Sequence, residues 1–439
     1  MALDILIGVA LVLGVIILTH EWGHFIVARL CGVRVDVFSI GFGPRLFGWK
    51  RGATDWRISA LPLGGYVRMA GQDLSEVDSN DVAPTGASDE LMSKPRWQRA
   101  LIAFGGPAVN FIFPVLLLGV FYAIVGLPHS VILRQPLQVS YLSNAPGQNS
   151  PLHVGDKVTE IGTLQNPTWE SALEYLDHQP VGSPLSLRVA NKEGERVVQT
   201  TLQDAGAFNR LFGFVPFAPV IDGVSPKSPA KRAGLKADDR IVEVNGAAIA
   251  YWGQFVDAVR QSNGKPVSLK ILRKNQTLDL TVTPQQKLTE ATENNWQIGV
   301  VNKDELAYER GTLTQASQFA FRKTGDFFVQ TLAVVGKLFS GRASVKQLQS
   351  VIGIAQVSGE AVHRGPADVI VLMAFISVNL GILNLLPIPI LDGGQILLLS
   401  IEGLMRRDLS LAVKERFVQV GFVFLLLLFA FVMYNDLVS

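Results

Sequence analysis

The segment that decides the fold is ILIGVALVLGVIILT, residues 5–19, which runs without a charged residue into His20-Glu21-Trp22-Gly23-His24. Two histidines four residues apart share one face of a helix, so both can reach one zinc ion. A glutamate beside the first histidine can act as a general base. Ionisable side chains are costly inside a bilayer and mark a functional site when they occur there. The stretch therefore predicts a membrane-spanning helix that carries a metal site.

The composition agrees with a membrane protein that also has a sizeable soluble part. The 439 residues are 48% hydrophobic and 17% charged, with a mean hydropathy of +0.29. A formal net charge of +2 without a basic block argues against nucleic acid as a partner. The single cysteine, Cys31, excludes an intramolecular disulfide. The first residues lack the basic region and the cleavage site of a signal peptide, so we expect a retained helix.

Four segments are apolar enough, over about 20 residues, to cross a bilayer. They cover residues 4–30, 100–126, 367–387 (with apolar character to position 399) and 417–434. Lysine and arginine concentrate in segments 29–99 and 404–416, and such residues favour the cytoplasmic side. We therefore expect both termini and segment 128–366 on the extracytoplasmic side. His20 and His24 lie roughly 25–30 Å along the first helix, so the metal should sit near the cytoplasmic face.

The long segment between the second and third spans contains an internal repeat. Residues 155–162 (GDKVTEIG) parallel residues 237–246 (ADDRIVEVNG), and a tryptophan follows each copy at the same distance. A helical pattern and then alternating strands continue both copies. A period of about 83 residues is too long for a solenoid and predicts two tandem globular domains.

A catalytic zinc usually takes three protein ligands, and the third apolar segment supplies a carboxylate. Residues 384–394 read NLLPIPILDGG. If this span enters from outside, Asp392 arrives level with the two histidines. Pro387 and Pro389 break the helix before it and leave backbone groups free to pair with an unwound substrate. Asn384 can hydrogen-bond such a substrate or, alternatively, a neighbouring helix.

Together these motifs resemble the site-2 protease family of intramembrane zinc metalloproteases, in particular its regulator-of-sigma-E (RseP) subgroup in Gram-negative bacteria. The resemblance covers nearly the whole chain and implies one zinc ion per chain. The implied site residues are His20, His24 and Asp392 as zinc ligands, Glu21 as the catalytic residue, and Asn384, Pro387 and Pro389 in substrate binding. GGPAVN, residues 105–110, matches a family motif in the second span, where small residues allow close helix contact.

Three further features carry the same resemblance. Residues 41–43 and 56–68 look like a membrane-associated β-hairpin region, whose edge, with Arg57 and Ser59, can bind an unwound substrate by strand addition; a purely structural hairpin is the alternative. The second repeat resembles a bacterial PDZ domain, and the first copy is a weaker match. A peptide-binding loop is implied at four positions: Leu211, Phe212, Gly213 and Phe214.

The expected fold class is a polytopic α-helical membrane protein with four transmembrane helices, two tandem α+β PDZ domains and a membrane-associated β-hairpin region. The expected boundaries are 1–31 (first transmembrane helix), 32–94 (cytoplasmic loop with the β region), 95–127 (second transmembrane helix), 128–215 and 216–308 (periplasmic PDZ domains), 309–364 (amphipathic membrane-associated helix), 365–400 (third transmembrane helix) and 401–439 (cytoplasmic loop and fourth transmembrane helix). The amphipathic segment can alternatively pack on the PDZ domains.

The resemblance implies cleavage of single-span membrane proteins in the bacterial inner membrane. The expected partners are membrane lipid, an anti-sigma factor already shortened by another protease, and remnant signal peptides. The PDZ domains would restrict substrate entry, as a size filter or as a ligand sensor. A PDZ-bearing scaffold and a transporter are alternatives. Glu21 argues against the scaffold because a structural metal site needs no base, and the spans show no inverted repeat typical of transporters.

Overall fold

The computed structural model describes residues 2–72, 85–143, 150–202, 207–225, 227–286, 296–340 and 351–438. These residues divide into two compact units, Pro128–Glu309 and a unit formed by Met1–Leu127 with Arg310–Ser439. Residues 73–84 of the predicted cytoplasmic loop and residues 341–350 of the predicted amphipathic segment lie outside the described residues.

The chain forms eleven α-helices and sixteen strands among its described residues. In order they are α1 (Ala2–Leu30), β1 (Val35–Arg51), β2 (Thr54–Met69), a 3-10 turn (Leu91–Ser93), α2 (Arg96–Val125), β3 (Leu127–Ser130), β4 (Lys157–Ile161), β5 (Leu164–Gln165), α3 (Trp169–Asp177), β6 (Pro184–Asn191), β7 (Gly194–Thr201), α4 (Ala207–Phe212), β8 (Ile221–Val224), α5 (Pro229–Arg232), β9 (Arg240–Val244), β10 (Ala247–Ala248), α6 (Trp252–Gln261), β11 (Val267–Arg273), β12 (Gln276–Val282), β13 (Gln285–Gln286), β14 (Trp296–Gln297), β15 (Val300–Asn302), β16 (Leu306–Glu309), α7 (Leu313–Phe339), α8 (Val351–Arg364), α9 (Pro366–Asn384), α10 (Asp392–Met405) and α11 (Leu411–Val438).

Three helices among the described residues are long and apolar enough to cross a membrane: Ile7–Leu30, Arg96–Val125 and Pro366–Asn384. They agree with the first three spans predicted from the sequence. Helix α11 covers the predicted fourth span, which stays a prediction. Apolar side chains of α2, α7 and α9 form a common core in which Leu118, Ala320 and Val378 are fully buried. Helix α7 therefore packs along two of the apolar helices.

Strands β1 and β2 form a long antiparallel hairpin next to α1, as the resemblance implies. The pairing register is irregular between Ile40 and Phe47. Two glycines with positive φ, Gly41 at 90° and Gly43 at 85°, lie in this part of β1. Glycine adopts that conformation without steric cost, so the strand can bend there.

The unit Pro128–Glu309 contains two copies of one arrangement. Its four-stranded sheets have the strand orders β5-β4-β6-β7 and β10-β9-β11-β12. A helix, α3 or α6, connects the second and third strands of each copy along the chain. Each copy has its own apolar core, with Trp169 fully buried in the first and Phe255 almost so in the second. The two copies of the sequence repeat therefore fold alike.

Asp156 connects several segments of the first copy by hydrogen bonds. It is fully buried and accepts hydrogen bonds from the His153 amide at 2.8 Å, from Asn191 at 2.9 Å and from Arg196. Burial alone would raise the pKa of the Asp156 carboxyl, but these three donors outweigh it and hold the pKa below its usual range. The ionised carboxylate is thus part of the folded structure.

Asp239 occupies the equivalent corner of the second copy. It is also fully buried and accepts from the Lys236 amide at 2.8 Å and from two nitrogens of Arg273 at 2.6 and 2.7 Å. The adjacent Asp238 is exposed and contacts Lys303 instead. Removal of Asp239 would therefore leave the Lys236 amide and Arg273 without their buried acceptor, whereas removal of Asp238 would break only an exposed ion pair.

Candidate metal centre

Helix α1 presents His20 and His24 side by side. Their imidazole rings meet edge to face with centroids 4.8 Å apart, and both residues are buried. Asp392, the first residue of α10, faces both rings. Its carboxylate oxygens lie 3.3 Å from Nε2 of His20 and 3.4 Å from Nε2 of His24, and the two Nε2 atoms are 3.2 Å apart. Segments more than 360 residues apart thus bring three donor atoms together.

These three donor atoms fit a zinc ion. Zinc bonds of about 2.0–2.2 Å at tetrahedral angles place neighbouring ligand atoms roughly 3.3 Å apart. The two Nε2 atoms are 3.2 Å apart, and the Asp392 carboxylate places Oδ2 3.3 Å from Nε2 of His20 and Oδ1 3.4 Å from Nε2 of His24, so each spacing agrees with that value. Nδ1 of His24 lies 2.8 Å from the Ile102 carbonyl and donates its hydrogen to it, so Nε2 keeps its lone pair for a metal. Two imidazoles and one carboxylate leave a fourth position for water, as in catalytic zinc sites.

Glu21 lies beside these ligands and is held by the hairpin. Its carboxylate accepts a hydrogen bond from the Val67 amide of β2. A Cβ atom at Gly65 would lie 3.4 Å from Cγ of Glu21, so strand and side chain are in van der Waals range. Glu21, Tyr66 and Val67 all line the same cavity. A carboxylate in this place is suitable as a base for a water molecule near the three donor atoms.

Two consecutive glycines of α2 make the close approach of α1 possible. A Cβ atom at Gly105 would lie 2.7 Å from the Gly23 carbonyl oxygen, so the two backbones touch at this crossing. A Cβ atom at Gly106 would collide with both imidazole rings, at 2.6 Å from Cε1 of His20 and 2.8 Å from Cε1 of His24. The first glycine therefore serves helix packing, whereas the second leaves room for the ligand rings.

The break between α9 and α10 positions Asp392. Helix α9 ends at Asn384, and Pro387 and Pro389 lie in the connection, as predicted. Ile390 has a φ of 82°, a conformation in which a β-branched residue is strained. Nδ2 of Asn384 lies 3.2 Å from Nε2 of His20. The amide of Asn384 therefore stands at the edge of the metal position.

A cavity of about 860 Å³ opens onto the three donor atoms. Its described lining includes Asn384 but neither Arg57 nor Ser59. Arg57 forms an ion pair with Asp55 at 3.3 Å, and the Ser59 hydroxyl is buried against that of Ser39 at 2.9 Å. The structure thus brings Asn384 to the metal position, while Arg57 and Ser59 serve contacts within the hairpin.

A buried charged cluster forms another part of the cavity wall. Glu402 of α10 is fully buried and accepts from Lys414 at 3.0 Å and from the Leu409 amide at 3.0 Å. Arg99 of α2 approaches the other carboxylate oxygen at 3.9 Å. Sequence reasoning missed this cluster, because nothing in the spacing of these residues indicates that they meet.

The predicted peptide-binding loop lies between the two copies in the unit Pro128–Glu309. Leu211 and Phe212 end α4 and are buried in the core of the first copy. Gly213 has a φ of 76°, which favours glycine. Phe214 packs against Gly253 of α6 in the second copy. Two of the four residues therefore contribute to a core, and the role in peptide binding stays a prediction.

Comparison with known proteins gives consistent matches over almost the entire chain. The model of peptidase family M50 matches residues 8–428. A protein of Yersinia pestis named protease RseP is 34% identical, and the alignment covers 97% of this chain and 96% of the relative. The regulator of sigma-E protease RseP of Escherichia coli K12 is 33% identical with the same coverage. A putative zinc metalloprotease of Neisseria meningitidis is 30% identical, with 96% of both chains covered.

Proposed function

Because this chain belongs to peptidase family M50, the site-2 proteases, we propose that it cleaves peptide bonds of single-span membrane proteins inside the bilayer. It is a zinc metalloprotease of the bacterial inner membrane with a role in sigma-E regulation. The proposal rests mainly on one observation: three donor groups suitable for zinc and the Glu21 carboxylate line the same cavity, beside apolar helices. This arrangement favours the enzyme over a scaffold or a transporter.

We propose the following residue roles, which the geometry of the site supports. His20, His24 and Asp392 hold the zinc ion, which when bound polarises the scissile carbonyl and makes water more acidic. Glu21 accepts a proton from the attacking water and passes it to the leaving amine nitrogen. The Val67 amide keeps the Glu21 carboxylate in place beside the reacting atoms. Asn384 donates a hydrogen bond to the substrate backbone.

A substrate helix must be extended before water can reach its amide. The broken helix at Pro387 and Pro389 leaves backbone groups near the metal position without helical partners. Strand β2 reaches the same cavity with Tyr66 and Val67. An extended substrate segment can pair with either backbone, since an extended chain presents its donors and acceptors to both sides. Both features therefore support binding of an unwound segment at the site.

The two exterior copies are proposed to be tandem PDZ domains that restrict substrate entry. Their common strand order and separate cores support two domains of one kind. We place them and both termini on the periplasmic side and the metal near the cytoplasmic face, because Lys and Arg concentrate in the loops 29–99 and 404–416. We also propose that the chain crosses the membrane four times. The proposed substrates are an anti-sigma factor after a first cleavage and remnant signal peptides.

The experiment is cleavage of a tagged single-span protein by the intact enzyme in lipid vesicles. The substrate is offered once with its full exterior domain and once with a short exterior stub. We expect the enzyme to cleave the stub form faster and Glu21→Gln to cleave neither. Failure of the wild type to cleave either form would refute the peptidase proposal. Equal cleavage of both forms would refute only the restriction of entry.

A further inference from the structure

Asn110 of α2 contacts the ring nitrogen of His20 that faces away from Asp392. The residue is fully buried, and its amide group lies 3.0 Å from Nδ1 of His20. Nε2 of the same ring faces Asp392 at 3.3 Å. A neutral imidazole carries one hydrogen, so the nitrogen that binds a metal must be the one without it. The partner of Nδ1 therefore decides whether Nε2 is available.

The oxygen of the Asn110 amide has no hydrogen-bond partner among the described residues, although it is buried. The nitrogen Nδ2 is the amide atom that lies near His20. A half-turn of the amide group exchanges the two atoms at almost no change in shape. After this half-turn Nδ1–H of His20 donates to Oδ1, so the buried oxygen gains a partner. Nε2 then keeps its lone pair toward Asp392.

We propose that Asn110 is a positioning residue that accepts a hydrogen bond from Nδ1–H of His20 and thereby directs the Nε2 lone pair to the metal. The inference rests on the proposed ligand role of His20. Helix α2 supplies the equivalent partner for His24, whose Nδ1 lies 2.8 Å from the Ile102 carbonyl. Helix α2 thus orients both imidazole rings, that of His24 with a backbone oxygen and that of His20 with a side-chain oxygen.

The backbone at Asn110 is itself held by α9. Pro114 follows four residues later and has no N–H, so the Asn110 carbonyl lacks its usual helical partner. The hydroxyl of Ser377, which is fully buried, donates to this carbonyl at 3.0 Å. The chain therefore fixes both the backbone and the amide of Asn110. This is the rigidity that a residue orienting a metal ligand requires.

The proposal predicts a specific pattern of zinc affinities. Asn110→Leu has a similar size but no acceptor, and losing such a partner lowers metal affinity by about 10–100-fold. Asn110→Asp keeps an acceptor at the same place, so its affinity should stay within about threefold of the wild type or increase. Asn379→Leu is the matched control, because it removes a partly buried amide that pairs with Thr331 on α7. The control should bind zinc like the wild type.

The experiment measures zinc affinity of the intact solubilised protein by competition with a chromogenic chelator. The absorption spectrum of the cobalt(II)-substituted protein is recorded for the same variants. We expect a changed spectrum for Asn110→Leu and an unchanged one for Asn379→Leu. Wild-type affinity in Asn110→Leu, or an equal loss in Asn110→Asp, would overturn the orienting role. If Asp392→Ala bound zinc like the wild type, the proposed ligand set itself would be wrong, which is a distinguishable failure.

Discussion

Gly106→Ala should inactivate the enzyme although it adds only one methyl group. The added Cβ would lie 2.6 Å from Cε1 of His20 and 2.8 Å from Cε1 of His24, and it would also collide with Nε2 of His24. Carbon atoms normally approach to about 3.5 Å, so the ring of His20 would have to move by roughly 0.9 Å. Zinc sites tolerate shifts of about 0.2 Å in their ligand distances. The substitution should therefore remove the ligands from one common metal position.

We expect Gly106→Ala to lower zinc affinity and the rate of cleavage at least about 100-fold, which corresponds to about 2.7 kcal/mol. The measurements are chelator competition and cleavage of a single-span substrate in vesicles. Gly119→Ala is the control on the same helix, because its Cβ would meet Ala320 at an ordinary 3.8 Å. It should leave both values unchanged and can stabilise the helix by up to about 1 kcal/mol. Normal zinc binding in Gly106→Ala would refute the packing argument.

Three further predictions concern charged groups. Asp239→Ala should lower the free energy of unfolding of the unit Pro128–Glu309 by about 2–4 kcal/mol, whereas Asp238→Ala should change it by less than about 0.5 kcal/mol. Pulse proteolysis of the intact protein measures both, and equal effects would contradict the assigned contacts. The pKa of Asp156 is lower in the folded than in the unfolded protein, so its ionised carboxylate stabilises the fold. This stabilisation is complete above the unfolded-state pKa of about 3.9 and is lost as the pH falls through the lower folded-state pKa. The stability gap between the wild type and Asp156→Asn should therefore shrink on acidification from about pH 5, and a constant gap would argue against this linkage. Glu402→Leu should destabilise the unit containing the metal centre by about 3 kcal/mol, because Lys414 loses its buried partner; thermal unfolding followed by tryptophan fluorescence measures this, and an unchanged midpoint would rule the contribution out.

The residues that the sequence predicts well are those with local signals. His20, Glu21 and His24 lie within one helical turn, so helix geometry alone places them on neighbouring positions. Asp392 follows two prolines that end a helix by their own chemistry. The structure therefore places these residues as the motifs indicate.

Residues that act across helices could not be assigned from spacing. Asn110 and Gly106 lie within a recognisable motif, but only the packing of α2 on α1 shows that they meet His20. The family resemblance implies a peptide-binding loop at Leu211 and Phe212, and only the fold shows that both side chains also lie in a core. Tertiary packing decides which partner each helix face contacts, and the local periodicity of the sequence does not predict that partner.

The most direct test of the central claim is the zinc content and proteolytic activity of three purified proteins, the wild type, Glu21→Gln and Asp392→Ala. We expect about one zinc ion per chain in the wild type and in Glu21→Gln, cleavage in the wild type alone, and loss of both zinc and cleavage in Asp392→Ala. Full cleavage by Glu21→Gln, or full zinc content in Asp392→Ala, would contradict the central claim.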